Sequence, residues 1–139
     1  MKYLIDTDIL SYFFKNYPLV VKNFSYHFAV KNKAPYISSI NHFEILSGLQ
    51  SIKAKRQIAA FKKMFPAKNI LSVTSKMAEI AADIFCKLAE KGTVVDDIDI
   101  LIAAAALESR MIVVTNNEKH FGKIPGIKIE NWSKREYIV

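Results

Sequence analysis

An α/β fold, with a central parallel sheet between two layers of helices, is predicted by three features of this sequence. Short apolar runs of strand length alternate with longer segments of helical periodicity along the whole chain. Those runs are apolar almost throughout, the pattern of strands covered on both faces. Polar residues collect directly after them, in "LIDTD", "ISS" and "VVTNN", where open parallel sheets hold their ligands.

The elements follow in order. "KYLID" (Lys2 to Asp6) reads as the first strand. "TDILSYFFKNYP" places Ile9, Tyr12 and Phe13 on one helical face and stops at Pro18, and a second helix is expected over Leu19 to Val30. "APYISS" is the next strand. Helical spacing resumes from Ile40 through Gln50, and a basic amphipathic helix runs from about Lys53 to Phe65, ending before Pro66. "NILSV" is strand-like, and "SKMAEIAADIFCKLAEKG" is a helix stopped at Gly92. "VVDDIDILIAAAAL" supplies the following helix, "MIVVT" the next strand, and "IKIE" a last short strand before a polar, aromatic tail with Trp132 as its packing anchor. No repeat, linker or composition shift interrupts the chain, so residues 1–139 are read as one domain.

Composition narrows the class. With 51% hydrophobic and 12% aromatic residues, and only four glycines and four prolines, the chain is neither disordered nor fibrous. Its one cysteine, Cys86 in "DIFCKLAE", cannot pair internally and is expected to be a small buried hydrophobe. No leader is evident after Met1, and the apolar run from Ile100 to Leu107 is too short to cross a bilayer, so a cytoplasmic protein without membrane partners is expected. Twenty Lys and Arg against thirteen Asp and Glu give a net charge of +7. Lys53, Lys55, Arg56, Lys62, Lys63 and Lys68 form one cluster, and Lys134 and Arg135 another. Such a surface attracts polyanions, although a solvated helix face accounts for any one cluster equally well.

The acids are concentrated elsewhere. Asp6 ends the first strand, Asp8 opens the next helix, Glu44 lies in the helix after the second strand, and Asp96, Asp97 and Asp99 precede the alanine-rich helix. Two carboxylates about 4 Å apart repel by roughly 4 kcal/mol at a protein surface, so convergence of these groups calls for a cation. Oxygen donors suit Mg²⁺ or Mn²⁺, which activates water and neutralises phosphate charge. Neither a zinc-like His/Cys spacing nor a phosphate-cradling glycine loop is present.

Each acid also has a plainer role. Asp8 is read as a helix cap. Glu44 follows Asn41 at capping-box spacing, but Ser39 as a rival cap would leave it free for a site. Asp96 and Asp99 share that spacing, and Asp97 suits the helix dipole. Asp6 has nothing local to cap, so its charge asks for a partner. His42 and His120 are read as ordinary surface or packing residues, and His27 as part of a half-buried helix face.

The ordered blocks "LIDTDIL", "ISSINHFEILSG", "KGTVVDDIDILIAAAAL" and "IVVTNNEKHF", with "IENW" behind them, resemble the PIN-domain family, in particular the VapC-type toxin ribonucleases of bacterial and archaeal toxin–antitoxin pairs. The resemblance spans essentially the whole chain. It implies a PIN-like, Rossmann-like three-layer α/β/α fold, Mg²⁺-dependent endoribonuclease activity, a homodimer and a cognate antitoxin. By position it makes Asp6, Glu44 and Asp99 the metal-binding and catalytic acids. The fourth polar position of the family falls in "TNN", with Asn117 the best match and Thr115 beside it. A further acid commonly precedes the Phe of that block, where this chain has His120, and Asp97 is a substitute candidate. Lys53, Lys55, Arg56, Lys62 and Lys63 become RNA phosphate contacts.

Two rivals carry distinct expectations. A HAD-like phosphohydrolase would use Asp6 and Asp8 as a DxD pair, with Lys91 and Asp96–Asp97 later, but it has Leu10 where a Thr is usual and gives Glu44 and Asp99 no task. A non-catalytic basic nucleic-acid-binding protein would use the acids only as helix caps.

Overall fold

The computed structural model describes residues 1–138. Strands β1 (Lys2–Ile5), β2 (Pro35–Ser38), β3 (Ile70–Leu71), β4 (Met111–Val114) and β5 (Ile129–Glu130) form one sheet in the order β3-β2-β1-β4-β5. Every neighbouring pair is parallel, with Tyr3 opposite Pro35 and Ile112, and Ile5 opposite Val114. The chain winds outward in one direction through β2 and β3 and in the other through β4 and β5. The order therefore reverses between β1 and β4, and that reversal opens a crevice beyond their carboxyl ends.

Successive residues of β1 serve opposite layers, because strand side chains alternate between faces. Leu4 packs with α5 (Ser75–Glu90) and α6 (Asp97–Ser109), through Met77, Ala81, Ile84 and Leu88 of α5 and Ile102 to Ala106 of α6. Tyr3 and Ile5 pack on the other face with α1 (Thr7–Phe14), α2 (Pro18–Phe24), α3 (Ser39–Ser51) and α4 (Lys55–Met64). The layers predicted from the sequence are thus present, and Trp132 anchors the tail in the second core with no exposure.

The four consecutive alanines Ala103–Ala106 are all fully buried, so small side chains let α6 lie close between the sheet and α5. That helix begins where Asp96 accepts the Ile98 N–H at 2.8 Å, the cap expected of it. It ends at Arg110 in a left-handed conformation, and α5 closes before Gly92 at φ +67°, which glycine adopts without penalty.

Several expectations change. The helix expected over Leu19 to Val30 starts at Pro18, whose fixed φ suits a first position, and widens to π geometry over Ser25–Val30. There His27 is buried rather than half-buried, its ring stacked on Trp132 at 4.6 Å. Burial, with help from Lys33, holds its imidazole below the usual pKa. The basic helix starts at Lys55, because Lys53 adopts a left-handed φ of 55°. Cys86 is exposed, not buried: the inward stripe of α5 is Met77, Ala81, Ile84 and Leu88, and Cys86 falls on the opposite side. A short helix, α7 (Glu118–Phe121), also forms where the sequence carried no such signal. Among the described residues no helix is long and apolar enough to cross a membrane.

Candidate active site

The crevice between β1 and β4 is where the acids meet. Asp6 leaves β1 in an extended conformation and its N–H donates to the Val114 carbonyl at 2.9 Å, so the sheet itself fixes its position. It is 8% exposed. Its Oδ1 accepts the Thr7 N–H at 2.9 Å and the Asn41 amide at 3.2 Å, and its Oδ2 accepts the Thr115 hydroxyl at 2.7 Å. Asp6 therefore does cap α1, contrary to the expectation that it had nothing local to cap. The cap leaves it over-buried all the same. Desolvation raises its pKa, the Thr115 and Thr7 hydrogen bonds act against that, and the Asp99 and Glu44 charges raise it again.

Asp8 is not the cap of α1. It sits in the first turn, where Oδ1 accepts the Ile9 N–H at 2.7 Å and Oδ2 the Asn116 N–H at 3.1 Å. The Thr115 hydroxyl lies 3.5 Å from Asp8 and closer to Asp6, so its single proton serves Asp6. Burial pushes the Asp8 carboxyl up to about 7, with the Asp6 charge as the next cause. Sequence reasoning missed this residue because helix-opening aspartates are usually caps. The signal available was its i, i+2 spacing from Asp6 across a strand–helix junction.

The capping box at the start of α3 belongs to Ser38 and Asn41, not to Asn41 and Glu44 or to Ser39. The Ser38 hydroxyl accepts the Asn41 N–H at 3.1 Å, and Asn41 Oδ1 accepts the Ser38 N–H at 3.2 Å. Asn41 then donates to Asp6 and to the Thr7 hydroxyl at 3.1 Å, which in turn donates to Glu44 Oε1 at 2.9 Å. Glu44 is consequently free of capping and exposed one turn further on, at the open side of the crevice.

From the opposite side α6 presents Asp99. Its Oδ2 accepts the Asn117 amide at 3.1 Å and lies 2.9 Å from His120 Nδ1. A protonated Nδ1 donates to that carboxylate, and Asn117 then donates to Asp99 as well. Asn117 caps α7, and its N–H donates to the Thr115 hydroxyl at 3.0 Å. Thr115, Asn117 and His120 therefore all reach the acids, and His120 is part of the site rather than an ordinary surface residue. Asp97 is not brought there. It is exposed and lines an apolar hollow with Ala78, Ala82 and Phe85, because two residues along a helix turn the side chain by about 200°.

Lys53, Lys55, Arg56, Lys62 and Lys63 are exposed on the α3–α4 hairpin, and among the described residues none of them forms an ion pair. None of them pairs with Asp6, Asp8, Glu44 or Asp99. Among the described residues, no three acidic, imidazole or thiol groups already converge as a ready-made metal cage. The donor set nevertheless fits a hard cation that keeps most of its waters, since buried Asp6 and half-buried Asp8 have hydrogen-bond donors but, among the described residues, no cationic side chain beside them.

Comparison with known proteins agrees with this arrangement. The PIN domain family model matches residues 3–127. A curated relative from Salmonella typhimurium, described as a tRNA(fMet)-specific endonuclease VapC, is 32% identical over 95% of this chain and 98% of its own. Ribonuclease VapC2 of Rickettsia felis is 31% identical over 96% of this chain and 100% of its own. Among solved structures, DNA-bound VapBC from Salmonella typhimurium superposes with a TM-score of 0.81 at 32% identity, covering 95% of this chain and 98% of the other. VapBC2 of Rickettsia felis, bound to a promoter fragment, gives 0.78 at 29% identity over 95% and 99%. The HAD-like alternative is thereby removed, and the chain belongs to the PIN domain family, among its VapC members.

Proposed function

We propose that this protein is the ribonuclease toxin of a toxin–antitoxin pair, working in the cytoplasm as one domain and hydrolysing RNA phosphodiester bonds with Mg²⁺ or Mn²⁺. The single observation that carries the reading is the carboxylate group at the sheet reversal, buried Asp6 with half-buried Asp8 and Asp99, held by directed donors and, among the described residues, without a Lys or Arg partner. Its relatives are described as ribonucleases, and its structural neighbours were solved as VapBC complexes, which supports an RNA substrate and a cognate antitoxin.

Asp6 and Asp99 would hold the cation directly, with Glu44 joining them from the open side. A bound divalent ion supplies charge neutralisation on the phosphate and lowers the pKa of a water. The chain supplies the rest. Thr115 and Asn41 fix the two Asp6 oxygens, while Asn117 and His120 fix Asp99, so both carboxylates are aimed before substrate arrives. Glu44, exposed and tethered by Thr7, orients the attacking water. Asp8, whose Oδ2 accepts the Asn116 N–H at 3.1 Å, fixes the turn that carries Thr115 and Asn117 beside the other acids. The basic hairpin holds the RNA backbone without selecting sequence. A homodimer is part of the proposal, supported by the exposed apolar Phe85, Val94 and Ile98 beside α5 and α6.

The test is cleavage by Asp6→Asn and Asp99→Asn. Both are expected to lose Mg²⁺-dependent RNA cleavage at least a hundredfold, along with growth arrest on expression, while circular dichroism stays native. Undiminished cleavage by both would sink the proposal, whereas a wild-type chain that binds RNA without cleaving it, with binding unchanged in both variants, would favour the non-catalytic basic binder.

A further inference from the structure

Gly48 has no conformational reason to be glycine. It lies inside α3 with helical geometry, three residues before that helix ends, and glycine is the weakest helix former after proline. It has no packing reason either, because a Cβ at this position would meet no atom within 4 Å. Replacement by alanine would favour the helix and strain nothing. What the missing side chain does preserve is a groove of about 330 Å³ between α1 and α3.

That groove starts at the active site. Thr7 and Glu44, joined at 2.9 Å, form its near end, Phe14 contributes an apolar wall, and Lys15 and Gln57 form its far end. The Gln57 amide donates to the Phe14 carbonyl at 3.4 Å and so ties α4 to the end of α1. Eight residues of α1 separate Thr7 from Lys15, a run of about 12 Å. The charge changes sign along this length. Glu44 stands at one end, whereas the exposed Lys15 lines the other without an ion pair among the described residues, and Lys53 directly follows the lining residue Ile52 in the chain.

We infer that this groove seats the single-stranded RNA immediately flanking the scissile phosphate, and that Gly48 keeps the space for it. The inference rests on the ribonuclease reading and deepens it. A strand whose reacting phosphate lies at the acids carries further phosphates at regular intervals along its backbone. Lys15 at the far end of the groove meets the next one, while the apolar wall and the bare Gly48 backbone accept a base or ribose between them. An apolar protein segment would gain nothing from the unpaired Lys15 at its exit. Gly48, Lys15 and Gln57 are therefore positioning residues that set which side of the cleaved bond is gripped.

The experiment uses a fluorescein-labelled single-stranded RNA oligonucleotide, chosen from a random pool because the wild-type chain cleaves it. Gly48→Leu is expected to raise KM about tenfold and to change kcat less than threefold, and Lys15→Glu to raise KM about fivefold. Gly48→Ala is expected to raise KM less than Gly48→Leu does, in line with its smaller side chain, and to raise Tm by about 3 °C, since alanine favours a helix interior. In an Asp99→Asn background, where the RNA stays intact, anisotropy in Mg²⁺ should show the same tenfold loss of affinity for Gly48→Leu. Unchanged affinity in a natively folded Gly48→Leu protein overturns the inference and hands the groove to a protein segment. If Gly48→Leu fails to fold, Gly48→Ser and Lys15→Glu carry the test, and an unaltered KM in both overturns it equally. Failure of the underlying reading is recognised separately, as a wild-type chain whose RNA cleavage does not depend on Asp6 and Asp99.

Discussion

The crevice beyond β1 and β4 and the α3–α4 hairpin hold opposite charges in opposite ways. In the crevice Asp6 is 8% exposed and each of its oxygens is engaged by a donor, from Thr7 and Asn41 on one and from Thr115 on the other. On the hairpin Lys53, Lys55, Arg56, Lys62 and Lys63 are exposed and, among the described residues, without ion pairs. Burying a charge costs several kcal/mol unless it is compensated, and an exposed lysine bears no such cost. The contrast teaches which charges have an assigned geometry and which merely supply a field. Chemistry belongs to the first group, attraction to the second.

The most direct way to break that contrast is to loosen the buried side. Thr115→Val keeps the shape of the side chain and deletes the hydroxyl that donates to Asp6 at 2.7 Å. A buried carboxylate deprived of one donor is left about 1–3 kcal/mol worse off, and its pKa rises further. Cleavage should fall about thirtyfold in kcat with little change in KM, and a Mg²⁺ titration should saturate at higher concentration. A variant with wild-type kcat would show that Asp6 needs no fixed orientation.

A smaller effect, but one of opposite sign, is expected at Asp8. Its folded pKa of about 7 stands above the ordinary 3.8, so the native state binds this proton more tightly than the unfolded chain does. The contribution to stability is fully present below about pH 4 and is lost as pH rises through 7. Metal-free protein carrying Asp8→Asn should therefore gain about 1–2 kcal/mol at pH 8, less than the full linkage because the amide meets donors that suited a carboxylate. The same sign predicts that Mg²⁺ raises Tm more at pH 8 than at pH 5.5, since protons compete with the cation at low pH. Melting curves with EDTA and with Mg²⁺ decide it, and a larger metal effect at the acid pH would contradict the assignment.

On the hairpin the expected effects are smaller and of another kind. Lys62→Gln or Lys63→Gln should lower kcat/KM no more than about fivefold at physiological salt, leave kcat intact, and reduce the salt slope of RNA binding by about 0.7 each. Loss of kcat on neutralising one exposed lysine would mean that the hairpin reaches the reacting atoms, and the division between field and geometry would fall.

What the sequence disclosed follows the same division. Asp6 and Asp99 were legible as candidates because one ends a strand and the other opens a helix, whereas Glu44, a turn into α3, was picked out by the resemblance to the PIN-domain family. The sheet and both helical layers were legible from apolar runs of two lengths. Asp8, Asn41 and His120 were not, because their roles depend on Asn116, Asp6 and Asp99, which are distant in sequence or shielded by a plainer local role. Cys86 was misplaced for a related reason. Its neighbours Ile84 and Leu88 are apolar, but helical phase, rather than the company of neighbours, decides which side is buried.

Phase also governs the smallest predicted effect. Asp97 and Asp99 are chemically identical, two residues apart, and both in the first turn of α6. A rotation of about 200° directs one toward Asn117 and His120 and leaves the other exposed beside Ala78, Ala82 and Phe85. If geometry decides, Asp97→Asn should leave cleavage within twofold and stability within about 0.5 kcal/mol, the small change arising from the lost charge near the helix amino terminus. Asp99→Asn abolishes cleavage under the same conditions. Comparable losses at both positions would mean that net negative charge at the mouth of the crevice, rather than a carboxylate aimed at one point, is what the reaction requires.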